Sequence, residues 1–203
     1  MKIEKFAAID IGSNAIRLLI TNVIIKKGFP IKFIKSSIVR VPIRLGQESF
    51  TIGEISSKNV SKIVQTIKAF KHIIKVNEVK SSLAFATSAL REANNSKEII
   101  KEVKKKTKLK IEIIDGSKEA KIISLNNIFE YLNKNRIFIY VDVGGGSTEF
   151  SIIENGLRKN SKSFKIGTIR MINKVTSEDA WKQIRIWIKS NIRQQSKIAL
   201  IGS

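Results

Sequence analysis

The chain has 203 residues, room for one large domain or two small ones, with 42% hydrophobic residues and a mean hydropathy of −0.05. It has no cysteine and one histidine, His72, which excludes disulfides, thiolate metal sites and any site needing two histidines. Lys and Arg number 38 against 17 Asp and Glu, and the net charge of +21 attracts polyanions such as nucleic acid or phosphate chains, although Lys, Ile and Asn rise together, as an AT-rich genome also produces.

Taken in order, residues 3–11 read as a strand that ends in Asp10-Ile11-Gly12-Ser13-Asn14. A second apolar run, 14–23, and a third, 31–41, make a meander, with Arg40, Pro42 and Arg44 marking an edge or loop. Gly46 and Gly53 bracket a polar loop, and Ser56-Ser57 caps a helix whose stripe is Val60, Ile63, Val64, Ile67, Phe70 and Ile74. His72 reads as an ordinary residue of that helix's face. Leu83–Ala86 is a short buried strand. It leads into Thr87-Ser88-Ala89-Leu90-Arg91-Glu92, a helix start where Arg91 can make a bidentate phosphate contact or an ordinary surface ion pair.

Another helix starts at Ser96 and ends in Lys104-Lys105-Lys106, a solvated end. A strand over 111–114 then turns through Asp115-Gly116-Ser117 into a helix carrying Glu119, Ile122, Ile123, Leu125, Ile128 and Leu132. Asn133-Lys134-Asn135 breaks it and predicts a boundary between lobes 1–132 and 133–203.

The second lobe opens on Ile137–Val143, a buried strand, and then Gly144-Gly145-Gly146-Ser147-Thr148-Glu149. The glycines can take backbone angles that other residues avoid and, without a Cβ, let a ligand approach the backbone; successive N–H groups form an anion cradle, and Ser147 and Thr148 add hydroxyls. Asp142 and Glu149 flank the loop as oxygen ligands for a cation such as Mg²⁺, and Asp10 repeats the place of Asp142. The plain alternative is a glycine-rich hairpin turn, but a hairpin needs fewer glycines and no flanking carboxylates. The Gly12-Ser13-Asn14 loop has the same plan, which predicts two lobes of similar design gripping a phosphate ligand between them. Asn155-Gly156 predicts a hairpin, Gly167–Met171 a short helix, and Ser177 the cap of a helix with Trp181, Ile184, Ile188 and Ile192 on its apolar face. A last strand covers 197–201.

At these residues the sequence resembles the exopolyphosphatase / guanosine pentaphosphate phosphatase (Ppx/GppA) family of the actin–Hsp70–sugar kinase superfamily. The matching segments are Asp10–Leu18, Ala86–Ala93, Asp115–Ala120, Asp142–Glu149 and Gly167–Arg170. The resemblance implies an α/β fold of two ribonuclease H-like, actin-type lobes with the active site in the cleft between them. It implies phosphate binding at Gly12, Ser13, Asn14, Arg91, Gly144, Gly145, Gly146, Ser147 and Thr148. Glu119 falls where the family has its catalytic base, and Asp10, Asp142 and Glu149 serve the metal, Mg²⁺. Lys118 stands where the family often has a first glutamate, and Ala15 where it often has Ser. Residues 199–203 resemble the start of a later glycine-rich loop, so the second lobe is expected to continue beyond them.

The expected reaction is release of terminal phosphate from inorganic polyphosphate or guanosine pentaphosphate, in a cytoplasmic protein that forms a homodimer when complete. No membrane partner is expected, since no apolar run reaches transmembrane length, and nucleic acid is not the expected polyanion. Two alternatives come from other classes: an ATP-dependent kinase of the same superfamily, and a non-catalytic polyanion- or nucleotide-binding module.

Overall fold

The computed structural model describes residues 1–124, 136–192 and 197–202. The expected helical positions Leu125, Ile128 and Leu132 and the break at 133–135 lie outside the described residues. The chain forms two compact units, Met1–Ile113 and Ile114–Ser203.

Unit 1 begins with a meander, β1 (Lys2–Ile11), β2 (Ile16–Ile25) and β3 (Lys32–Val41). Two helices follow, α1 (Leu45–Thr51) and α2 (Ser57–Val76), before β4 (Ser81–Ala86) returns parallel to β1. Then come α3 (Ser88–Glu92), α4 (Ser96–Thr107) and β5 (Glu112–Ile113), giving the sheet order β3-β2-β1-β4-β5. The core lies on one face of this sheet. Ile9, Ile11, Ile16, Leu18 and Ile20 point from the strands toward Ile63, Ile67 and Phe70 of α2 and Val103 of α4. Each such side chain, fully buried, contributes about 1.5–3 kcal/mol. The predicted stripe of α2 is the buried one, and His72 sits exposed on the same helix.

Unit 2 repeats the plan. After α5 (Gly116–Ser124), strands β6 (Ile137–Val143), β7 (Thr148–Glu154) and β8 (Leu157–Phe164) form a second meander. Then α6 (Thr168–Ile172) and α7 (Glu178–Asn191) precede β9 (Ile198–Gly202), which pairs parallel with β6 in the order β8-β7-β6-β9. The β7–β8 turn is the expected Asn155-Gly156, both with positive φ (55° and 75°), as a type I′ turn requires. Helix α5 lies against β7 and β8. The core of unit 2 is a cluster of Phe150, Phe164 and Trp187, whose rings meet edge to face at 5.5–6.4 Å, with Ile152 and Ile184 around it. Trp181 is not on the apolar face of α7; it is 45% exposed, and Trp187 fills the core in its place.

A three-stranded meander followed by a helical crossover to a parallel strand, twice over, is the ribonuclease H-like plan of actin-type lobes. The α/β fold of two ribonuclease H-like, actin-type units expected from the sequence is observed, but the division falls at 113/114 rather than at 132/133, because α5 packs on β7 and β8 of the second sheet.

Candidate functional site

The two glycine loops occupy equivalent places. In unit 1, Ile11 pairs with Ile16, so Gly12–Ala15 connects β1 to β2; in unit 2, Val143 pairs with Thr148, so Gly144–Ser147 connects β6 to β7. Each is closed by the same bond: Gly12 N–H donates to Ala15 O at 3.1 Å, and Gly144 N–H to Ser147 O at 2.9 Å. The glycine-rich loop is thus a hairpin connection, and hairpin and cradle are not alternatives.

The loop does not use the backbone angles that glycine alone favours. None of Gly144, Gly145 and Gly146 has positive φ. What Gly144 supplies is space, since a Cβ there would sit 3.0 Å from Ser147 O, and one on Gly12 would sit 3.2 Å from Ala15 O.

Both loops are braced from behind by the segment that follows the third strand of the meander. In unit 1, Gly46 N–H donates to Ser13 O (2.8 Å) and Arg44 N–H to Asn14 O (2.9 Å). Arg44 adopts a left-handed conformation, φ 60°, to deliver its N–H. In unit 2, Thr168 N–H donates to Gly144 O (3.0 Å) and Ile169 N–H to Gly145 O (2.9 Å). The Arg170 side chain, buried, donates from Nε to Gly146 O at 2.6 Å. Thr148 Oγ1 donates to Ile166 O at 2.6 Å, so this expected phosphate hydroxyl is engaged in holding the loop. Gly167 touches the loop directly: a Cβ on it would lie 2.5 Å from the Gly145 carbonyl atoms.

In unit 1, Ser13 is buried and its hydroxyl shares a 2.8 Å hydrogen bond with Ser88 Oγ at the start of α3. Thr87 N–H donates to Ile11 O at 3.2 Å. These bonds dock α3 on the first loop and bring Arg91, half-buried in the last turn of α3, into the same neighbourhood. Asp10 accepts from Arg17 Nη1 at 3.2 Å, a cross-strand pair.

In unit 2, Asp142 and Glu149 stand directly opposite each other on β6 and β7, so both project from one face of the sheet. Glu149 sits where the equivalent register position of unit 1 carries Arg17. It is 5% exposed and accepts from Ser163 Oγ at 2.7 Å. Ser163 in turn packs on Gly116, where a Cβ would come 2.8 Å from its hydroxyl. Three residues later on α5 comes Glu119, half-buried in the first turn, with Asp115 capping the helix through Lys118 N–H at 2.7 Å.

Sequence reasoning missed the residues that brace the loops: Arg44, Gly46, Ser163 and the assignment of a role to Gly167 and Arg170. Only the last two left a signal, as a short Gly-x-x-Arg run. A separate groove of about 240 Å³ lies between α2 and α4, lined by Lys68, Lys71, His72, Lys75, Lys106 and Thr107. Among the described residues no helix is long and apolar enough to cross a membrane.

Known proteins match this arrangement. The bifunctional 3-dehydroquinate synthase/phosphatase of Fusobacterium nucleatum is 33% identical to the chain over 202 residues, covering 93% of the chain and 30% of that protein. Exopolyphosphatase 1 of Mycobacterium leprae is 27% identical over 206 residues, covering 97% of the chain and 58% of that enzyme. Among solved structures, an exopolyphosphatase from Cytophaga hutchinsonii superposes with a TM-score of 0.81 at 25% identity, covering 98% of this chain and 66% of that one. The Aquifex aeolicus Ppx/GppA protein superposes with a TM-score of 0.74 at 25% identity and 66% coverage of its length. The chain therefore spans less than two thirds of these relatives. The model of the Ppx/GppA phosphatase family matches residues 24–195, and the chain belongs to that family.

Proposed function

We propose that this protein hydrolyses the terminal phosphoanhydride bond of inorganic polyphosphate. The observation that carries the reading is the pair of equivalent loops, each with its carbonyls tied back and each beside a carboxylate at the strand end. Exopolyphosphatases among the relatives support the substrate class. Guanosine pentaphosphate ends in the same phosphoanhydride chemistry and is the second substrate to assay.

In this reading the loops at Gly12-Ser13-Asn14 and Gly144–Ser147 bind phosphate oxygens through backbone N–H groups, and Arg91 contributes a guanidinium. Phosphoryl transfer needs charge stabilisation and positioning more than covalent chemistry, which donors of this kind supply. Glu119 accepts a proton from the attacking water, a role worth 10²–10⁴-fold in general. Asp142 and Glu149, side by side, fit Mg²⁺, which takes one or two carboxylates and completes its shell with water and phosphate oxygens. Asp10 is the weaker candidate, because Arg17 already faces it. Bound there, Mg²⁺ would neutralise phosphate oxygens.

The test is phosphate release from long-chain polyphosphate, with and without Mg²⁺, by wild type and Glu119→Gln. Turnover that needs Glu119 and Mg²⁺ supports the reading. Glu119→Gln at near wild-type rate removes Glu119 as the base, and release from neither polyphosphate nor guanosine pentaphosphate overturns the assignment.

A further inference from the structure

The two units fasten equivalent loops with different donors. Matching the hairpins by register, Ser13 corresponds to Gly145 and Asn14 to Gly146. The Ser13 and Gly145 carbonyls are both held by backbone N–H groups, from Gly46 and Ile169. The Asn14 carbonyl is held by Arg44 N–H, but the Gly146 carbonyl is held by a side chain, Arg170 Nε. Unit 2 thus uses a buried guanidinium where unit 1 uses main chain.

The consequence follows from peptide geometry. In a planar trans peptide the C=O and the next N–H point in opposite directions. A carbonyl fastened toward α6 therefore turns the following N–H away from α6. Gly144 O, Gly145 O and Gly146 O are all fastened this way, which aims the N–H groups of Gly145, Gly146 and Ser147 together to the other side. Three N–H groups converging from one turn form an anion cradle before any anion arrives. Flanked by glycine, the Gly146–Ser147 peptide has little of its own to stop it from flipping.

We infer that Arg170 is a positioning residue: it presets the Gly146–Ser147 peptide so that Ser147 N–H faces the phosphate, and Gly167 provides the close seat that lets it do so. The inference deepens the phosphate-binding reading above and rests on it. Arg170 does not touch the substrate; it acts through the loop. Its charge, behind the turn, also favours an anion in front.

The experiment uses tripolyphosphate as the probe, with calorimetric titration and ¹H–¹⁵N spectra of wild type, Arg170→Met and Arg170→Lys. In Arg170→Met the ligand-free amides of Gly146 and Ser147 should shift or broaden while most of the spectrum stays put. Its affinity should fall about ten- to a hundredfold, the loss of a charged hydrogen bond, and Arg170→Lys should recover part of it. Unchanged amides and unchanged affinity in Arg170→Met overturn the inference. Should that variant fail to fold, wild type alone decides: the Arg170 Nε–H must exchange slowly with solvent, and fast exchange overturns it. A wild type that binds no tripolyphosphate sinks the phosphate reading instead, while the amide and Nε measurements still judge the presetting.

Discussion

Single residues hold the loops in place through short chains of contact. Ser13→Ala removes one partner of the buried Ser13–Ser88 hydroxyl pair and leaves the Ser88 hydroxyl to find another. It should cost about 1–3 kcal/mol, read as a lower denaturant midpoint at unchanged slope. Gly116→Ala should act at a distance. Its new methyl group must displace Ser163, and Ser163 is what donates to Glu149. The expected result is about 1–3 kcal/mol of overpacking and a fall in phosphate release, with the circular dichroism spectrum retained. Wild-type turnover in a folded Gly116→Ala would show that the Ser163–Glu149 bond has no bearing on the reaction. The glycines, hydroxyls and carboxylates of this neighbourhood were legible in the sequence. Their partners were not, because Arg44, Gly46 and Ser163 act through main-chain or cross-strand contacts that leave no local pattern.

At the level of elements, caps and periodicity were readable where the chemistry is local. Ser56 caps α2 by accepting from Asn59 N–H at 3.3 Å, and Ser177 caps α7 by accepting from Ala180 N–H at 3.3 Å. The helix α1 falls where the sequence predicts a polar loop, since its seven residues contain Gly46 and it starts from a left-handed Arg44 rather than a capping side chain. On α7, Trp187 reaches the core by lying one turn beyond Ile184 and two beyond Ala180 on the buried face, whereas Trp181 lies off that face. Glu48 ties α1 to the start of α2, accepting from both Ser56 N–H and Ser56 Oγ at 2.8 Å. Partial burial pushes its carboxyl up, but these hydrogen bonds outweigh that and hold it below the ordinary 4.5. A depressed folded-state value means that its stabilisation is present above pH 4.5 and is lost as pH falls through the folded value. Melting wild type and Glu48→Gln from pH 7 downward should therefore show a gap that closes as the pH falls below 4.5 and through the folded value. A gap that stays constant with pH would contradict it. Ser56→Ala should cost about 0.5–2 kcal/mol by losing the cap.

On the scale of the whole molecule, the chain repeats one plan twice, and each unit carries its own hydrophobic cluster. A fragment covering Met1–Ile113 should fold alone, with a cooperative melt, because its sheet and the helices α2 and α4 that cover its core are all internal to it. The net charge of +21 should steer long polyphosphate, so association should slow steeply between low and physiological salt; flat kinetics would assign the charge to composition. The lysine-lined groove between α2 and α4 is the rival place for a polyanion to settle. One measurement separates it from the loops: a ¹H–¹⁵N titration of the protein with tripolyphosphate. If the loops bind phosphate, saturable shifts appear at Asn14, Ala15, Gly145, Gly146 and Ser147. Shifts confined to the groove around Lys68, Lys71, Lys75 and Lys106, with the loop amides unmoved, would contradict it.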